Sequence, residues 1–159
     1  TFIWSKYGGT VLKPEKYYEL DRELEEKIKK VADEVGREIE KNELSRGLRK
    51  IIEFSTFCNQ YFQRKQPWTD KEKAKTCLYL SANAVRTLAI LLEPYIPFST
   101  ESLWQQLNLE DSVHKQNWDS ASELKILSRH QINQPKVLFK KIQDEDIKKE
   151  KEQLQKLAV

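Results

Sequence analysis

The side chains best suited to recognition lie together in residues 57–68, which read Phe-Cys-Asn-Gln-Tyr-Phe-Gln-Arg-Lys-Gln-Pro-Trp. Pro67 has no backbone N–H and disfavours helical angles at Gln66, so it predicts that a helix ends there. Trp68 then follows Arg64 and Lys65 on a stiffened corner. A flat aromatic beside cations and amides suits an unstacked nucleic-acid base. The alternative is a tryptophan packed against the next helix, which composition alone favours because buried aromatics are common.

Side chains for catalysis show no comparable pattern. We find no phosphate-binding glycine loop and no nucleophile elbow. The carboxylates follow helical charge patterns typical of a solvated face. Cys58 and Cys77 lie in apolar helical stretches, while His114 and His130 lie in a region without periodicity, and neither pair has the spacing of a zinc site. The sequence therefore predicts a binding module without catalytic residues of its own.

The charge distribution and the composition indicate the kind of partner and the cellular compartment of this protein. The net charge is only +3, but residues 44–75 hold eight Lys or Arg against three acids, a local excess that could steer a phosphate backbone. Two cysteines in apolar helical stretches favour a reducing compartment, and no apolar run approaches the roughly 20 residues that cross a bilayer. We therefore expect a cytoplasmic protein without a membrane partner. The first residue is Thr1 and the next few resemble the end of a helix, which predicts a fragment of a longer protein.

Apolar periodicity predicts an all-α fold, an up-and-down antiparallel helix bundle, with little glycine or proline for a many-turned β fold. The expected domain covers residues 1–159, with a bundle at about 1–107 and an extension at about 108–159 made of a loop region and a closing helix. Trp118, Ile126 and Leu127 are expected to anchor the loop region. The helices are expected at about 15–41, 42–66, 70–92, 100–107 and 144–157. The predicted core is Leu24, Ile28, Leu48, Ile52, Leu78, Val85 and Leu88.

Residues 57–68, with Cys-Asn-Gln-Tyr-Phe and Gln-Pro-Trp, resemble the anticodon-binding helix bundle of the methionyl-tRNA synthetase family. Three other stretches support the resemblance. Residues 2–9 are similar to the end of the first bundle helix of that family, residues 91–97 to its proline-containing junction, and residues 137–147 to its C-terminal Leu-Phe-x-x-Ile-acidic segment. The order and spacing of these pieces make the resemblance specific across essentially the whole chain.

The resemblance implies a class I synthetase that joins methionine to tRNA(Met) with ATP and recognises the CAU anticodon through this bundle. By position, Trp68 would stack an anticodon base and Pro67 would shape the corner. Asn59 matches the asparagine of that helix, for which a structural role is equally open. Arg64, Lys65 and Lys6 complete the expected anticodon-binding set. The Asn and Arg of the preceding helix would lie before Thr1.

The same resemblance implies partners and cofactors. The partners are the anticodon stem-loop of tRNA(Met) and the catalytic domain of the same parent chain. This fragment is expected to hold no cofactor, because the catalytic motifs and the zinc knuckle of the family are absent from it. ATP and Mg²⁺ would act in the parent enzyme, where Zn²⁺ stays open. The alternatives are a helical protein-interaction module, or the anticodon-binding domain of a valine, leucine or isoleucine synthetase.

Overall fold

Helices make up nearly all regular structure in the computed structural model, which describes the backbone of residues 1–157 and the side chains of residues 1–155. Two short 3-10 helices, Val113–Lys115 and Trp118–Ser122, separate the last two α-helices, and an isolated bridge joins Thr10 to Gln131. The all-α prediction is confirmed. In chain order the α-helices are α1 (Phe2–Tyr7), α2 (Glu19–Glu40), α3 (Leu44–Lys65), α4 (Lys71–Leu92), α5 (Pro97–Gln106) and α6 (Asp144–Leu157).

Three long helices form the bundle. α2, α3 and α4 have 22 residues each, or about 33 Å of helix. Their connections are so short that consecutive helices must run antiparallel. All three pack against one another, and α5 packs on α4. Among residues 1–157 we find no helix that combines the length and apolarity needed to cross a membrane.

The core lies along the shared faces of these helices. Leu24, Ile28 and Leu78 are buried as predicted, whereas Leu48, Val85 and Leu88 are half-buried. The prediction for Ile52 is wrong, because this residue is 54% exposed. The buried stripe of α3 passes instead through residues 47, 51, 54 and 61. Either of the adjacent residues Ile51 and Ile52 could belong to the buried face of α3, and only packing against α2 and α4 decides that it is Ile51.

Polar side chains of α4 hold a segment that has little regular structure, residues 108–133, which we call the wrap segment. Asn83 donates to Ile126 O (3.1 Å) and accepts from Ile126 N (2.9 Å), and the Thr87 hydroxyl donates to Ala121 O (2.7 Å). Trp118 anchors the segment to α2 through Nε1 and Ala32 O (3.0 Å). Trp118 and Ile126 anchor the wrap segment as predicted, but Leu127 is 68% exposed and does not.

The C-terminal helix is present where it was predicted, but it does not cover the bundle. Every described side chain of residues 144–155 is exposed, and Leu154 is 65% exposed. The side chain of Leu157, the last residue of the predicted helix, lies outside the described residues. The residues between the wrap segment and α6 run without regular structure and leave Val137 and Phe139 exposed.

Candidate nucleic-acid interface

The chain turns sharply where α3 ends. Gln66 adopts left-handed angles (φ 45°, ψ 59°) and its N–H donates to Phe62 O at 3.2 Å. The carbonyl of Gln66 accepts from both Thr69 N (2.9 Å) and Thr69 Oγ1 (2.8 Å), which closes the turn. Pro67 is buried inside it. The predicted helix end is therefore confirmed, and we call residues 66–69 the corner.

Trp68 projects from the corner with 50% of its surface exposed. Its ring centroid lies 6.0 Å from that of Phe62, at 53° between the planes. Phe62 in turn meets Phe2 of α1 edge to face at 5.9 Å. The aromatic contacts support the indole from one side and leave the rest of it open to a planar ligand.

Beneath the corner lies a buried ion pair. Lys65 Nζ lies 2.8 Å from Asp21 Oδ2, and Asp21 also accepts from Tyr61 OH (2.6 Å) and Tyr18 N (2.8 Å). Asp21 is 0% exposed and Lys65 is 8% exposed. The structure thus gives Lys65 a partner inside the fold rather than a free ammonium at the surface. The interpretation of the carboxylates as part of a solvated face is wrong for Asp21.

A signal for this pair was present in the sequence. Asp21 precedes Leu24 by three residues and so continues the buried stripe of α2, while Lys65 follows Tyr61 by four on α3. Burial raises the pKa of Tyr61, and its neighbours Cys77 and Asp21 act in the same direction. The phenol therefore stays protonated and can donate to Asp21.

The remaining expected binding residues are exposed but spread along the surface. Arg64 lies one helical turn before Trp68, and Lys6 lies in the last turn of α1, whose Phe2 contacts Phe62. Asn59 lies further back on α3, at the edge of a cavity of about 420 Å³ between α3, α4 and α5. The structure gathers Arg64, Pro67 and Trp68 at one end of the bundle, with Asn59 less than two helical turns before the end of α3.

The cysteines are not activated. Burial raises the pKa of Cys58 to about 12 and that of Cys77 to about 11, so neither thiol ionises near neutral pH. The described residues contain no group of three or more His, Cys, Asp or Glu side chains placed to hold a metal ion. The chemistry that the site offers is stacking, hydrogen bonding and charge attraction.

Comparison with known proteins shows which protein family this chain is similar to. Residues 21–158 match the family described as the anticodon-binding domain of tRNA ligase. Methionine–tRNA ligase of Methanosphaera stadtmanae is 36% identical over 99% of this chain and 25% of its own length. The enzyme of the same name from Methanopyrus kandleri is 36% identical over 95% of this chain and 22% of its own length. The chain thus spans about a quarter of these relatives.

Solved structures agree on the fold. The apo form of Mycobacterium tuberculosis methionyl-tRNA synthetase superposes with a TM-score of 0.80 and 21% identity, covering 89% of this chain and 30% of that one. The form bound by methionyl-adenylate gives a TM-score of 0.78 at 21% identity, over 87% of this chain and 28% of that one. With the family match over most of its length, the chain belongs to the anticodon-binding domain family of tRNA ligases, and the two relatives named above are methionine–tRNA ligases.

Proposed function

We propose that this chain is the anticodon-reading domain of a cytoplasmic methionine–tRNA ligase and that it binds the CAU anticodon stem-loop of tRNA(Met). The names of its relatives and the family match support the assignment. Attachment of methionine with ATP and Mg²⁺ would take place in the catalytic domain of the same parent chain, and any Zn²⁺ would be bound there too. The contribution of this domain is to select the tRNA.

The half-exposed Trp68 is the observation that carries the proposal. A base stacked on an aromatic side chain is worth about 1–3 kcal/mol. The indole is already supported by Phe62 and held by the closed turn at Gln66. These contacts restrict the indole before a base binds, which lowers the conformational-entropy cost of stacking.

Cations around the corner supply the remaining attraction. Arg64 is exposed next to the corner and is placed to contact phosphate, whereas Lys75 is already paired with Glu15 and Glu72 at 2.7 Å each. Lys6 adds an exposed cation on α1, and the exposed Asn59 offers an amide to a base on α3. Lys65 is buried and paired with Asp21, so it adds no free charge to this surface.

Titration with RNA tests the proposal. A CAU stem-loop should bind more tightly than a stem-loop with one changed anticodon base, and its affinity should fall as salt rises. Trp68→Ala should weaken CAU binding by about 5- to 150-fold, the worth of one stack, while Trp68→Phe keeps most of it.

Phe98→Ala is the matched control. Phe98 is 90% exposed and lies near the start of α5, separated from Trp68 by the length of α4. Its removal should leave RNA affinity unchanged. Equal binding of both stem-loops, or unchanged affinity in folded Trp68→Ala, would contradict the proposal, and tighter binding of valine, leucine or isoleucine stem-loops would favour those synthetases.

A further inference from the structure

The last residue of α3 and the first turn of α2 meet inside the protein. The side chains of Asp21 and Lys65 are 0% and 7% exposed, and their charged atoms are 2.8 Å apart. Lys65 also places its ammonium 4.7 Å from the centre of the Tyr18 ring. Lys65 is joined directly to Gln66, so the pair adjoins the corner along the chain.

Net stabilisation is a poor explanation for a buried ion pair. Removing two charges from water costs several kcal/mol each, and apolar side chains of similar size are often as stabilising. An ion pair with full hydrogen bonding differs from apolar packing because it is directional. The three donors on the Asp21 carboxylate specify where the end of Lys65 must lie.

The end of α3 is where such a restraint has most effect. The last carbonyls of a helix lack partners within the helix, so this turn frays unless something holds it. That turn contains Phe62, which supports the indole of Trp68, and it leads into Gln66, a non-glycine residue in left-handed conformation. Movement of Lys65 would therefore displace both supports of Trp68 together.

We propose that the Asp21–Lys65 pair is a positioning device that holds the Trp68 corner in the geometry that binds RNA. Neither residue contacts RNA, and both act through Phe62 and Gln66. The effect on RNA rests on the proposed function, whereas the effect on the Trp68 ring does not.

Two near-isosteric variants test the pair from its two sides. Asp21→Asn keeps the shape and removes the negative charge, and Lys65→Met keeps the alkyl chain and removes the ammonium. Arg86→Met is the matched control, because Arg86 is also a buried cation (1% exposed) but binds Ser120 O at 2.7 Å in the wrap segment. All three changes should lower stability, but only the first two should affect the corner.

Fluorine NMR of protein labelled with 5-fluorotryptophan reports on the corner without RNA. The chain has 4 tryptophans, and Trp68→Phe assigns the resonance of Trp68. Asp21→Asn and Lys65→Met should shift or broaden that resonance and leave those of Trp104 and Trp118 in place. Arg86→Met should leave the Trp68 resonance in place and shift or broaden those of Trp104 and Trp118. In the wild-type protein the Arg86 guanidinium lies 5.5 Å from the Trp104 ring centre.

CAU stem-loop affinity, measured where all variants are folded, completes the test. Asp21→Asn and Lys65→Met should lose about fivefold to tenfold, part of the worth of one stack, and Arg86→Met should lose nothing. An unchanged Trp68 resonance or unchanged affinity in either folded variant would overturn the inference. Loss of the fold in both, with Arg86→Met still folded, would also overturn it, because the pair would then determine the bundle rather than the corner.

The proposed function fails by a different result. If wild-type protein does not prefer the CAU stem-loop, the anticodon assignment is wrong, and the Trp68 resonance still decides whether the pair positions the corner. The two failures are therefore separate.

Discussion

Two buried cations serve different regions of this protein. Lys65, at the end of α3, binds a side-chain carboxylate of α2. Arg86, within α4, binds backbone and hydroxyl oxygens of the wrap segment: Ser120 O (2.7 Å), Ser120 Oγ (3.2 Å) and Glu123 O (3.3 Å). Burial lowers the pKa of Arg86, although a guanidinium stays charged at any ordinary pH.

The tryptophans closest in sequence or space to the two cations differ in their exposure to solvent. Trp68, three residues after Lys65 in the chain, is 50% exposed, whereas Trp104, whose ring centre lies 5.5 Å from the Arg86 guanidinium, is 2% exposed and donates from Nε1 to Glu110 O at 3.1 Å. The carboxylate partner of Lys65 joins two helices, while the backbone partners of Arg86 fasten an irregular segment to the bundle. Directional polar contacts are needed in both places, because apolar packing alone does not fix a short segment in one position.

The largest expected difference between the two regions is in tryptophan truncation. Trp104→Ala should lower the free energy of unfolding by about 3–5 kcal/mol, the usual cost of emptying an aromatic site in a core. Trp68→Ala should cost about 1 kcal/mol or less, since it loses little beyond a tilted contact with Phe62. Urea unfolding of both variants measures this, and equal losses would show that Trp68 is a core residue.

A smaller loss is expected from Asn83→Leu, which removes both hydrogen bonds to Ile126. The buried N–H and C=O left without partners should cost about 1–3 kcal/mol each at most, and we expect about 2–3 kcal/mol in total. Asn59→Leu on exposed α3 surface should stay within about 0.5 kcal/mol. A comparable loss at both asparagines in thermal or urea unfolding would contradict the role of Asn83 as an anchor.

The smallest expected effect is a loss of folding stability at low pH, caused by protonation of Glu101, which holds the wrap segment. The Ser112 hydroxyl, which donates to Glu101 at 2.7 Å, is the main cause that lowers the pKa of this carboxyl below 4.5, and Val113 N–H adds to it. A lowered folded-state pKa gives stability that is present above 4.5 and lost as pH falls through the folded-state pKa. Glu101→Gln should remove this dependence.

Urea unfolding at about pH 7 and about pH 3 checks the acid effect. Wild-type protein should lose more stability between the two conditions than Glu101→Gln does. An identical loss in both proteins would mean that the Ser112 contact contributes nothing to the wrap segment.

Local signals predicted the helices well and their buried faces less well. Pro67 ends a helix by its own covalent structure, so the position of the corner followed directly from one residue type. The 144–157 helix was also found within its predicted bounds. Ile52 and Leu127 were misplaced because an apolar side chain does not say which neighbour it will meet, and both turned out to face solvent.

The sequence by itself determined that this is a helical bundle with Trp68 on a stiff corner beside basic residues. Tertiary structure decided which charges are buried and which tryptophans face inward. Asp21 and Lys65 are 44 residues apart, and Arg86 and Ser120 are 34 apart. A charge is tolerated in the interior only when a partner lies within hydrogen-bonding distance. That partner comes from a distant part of the chain, so it exists only once the helices have packed.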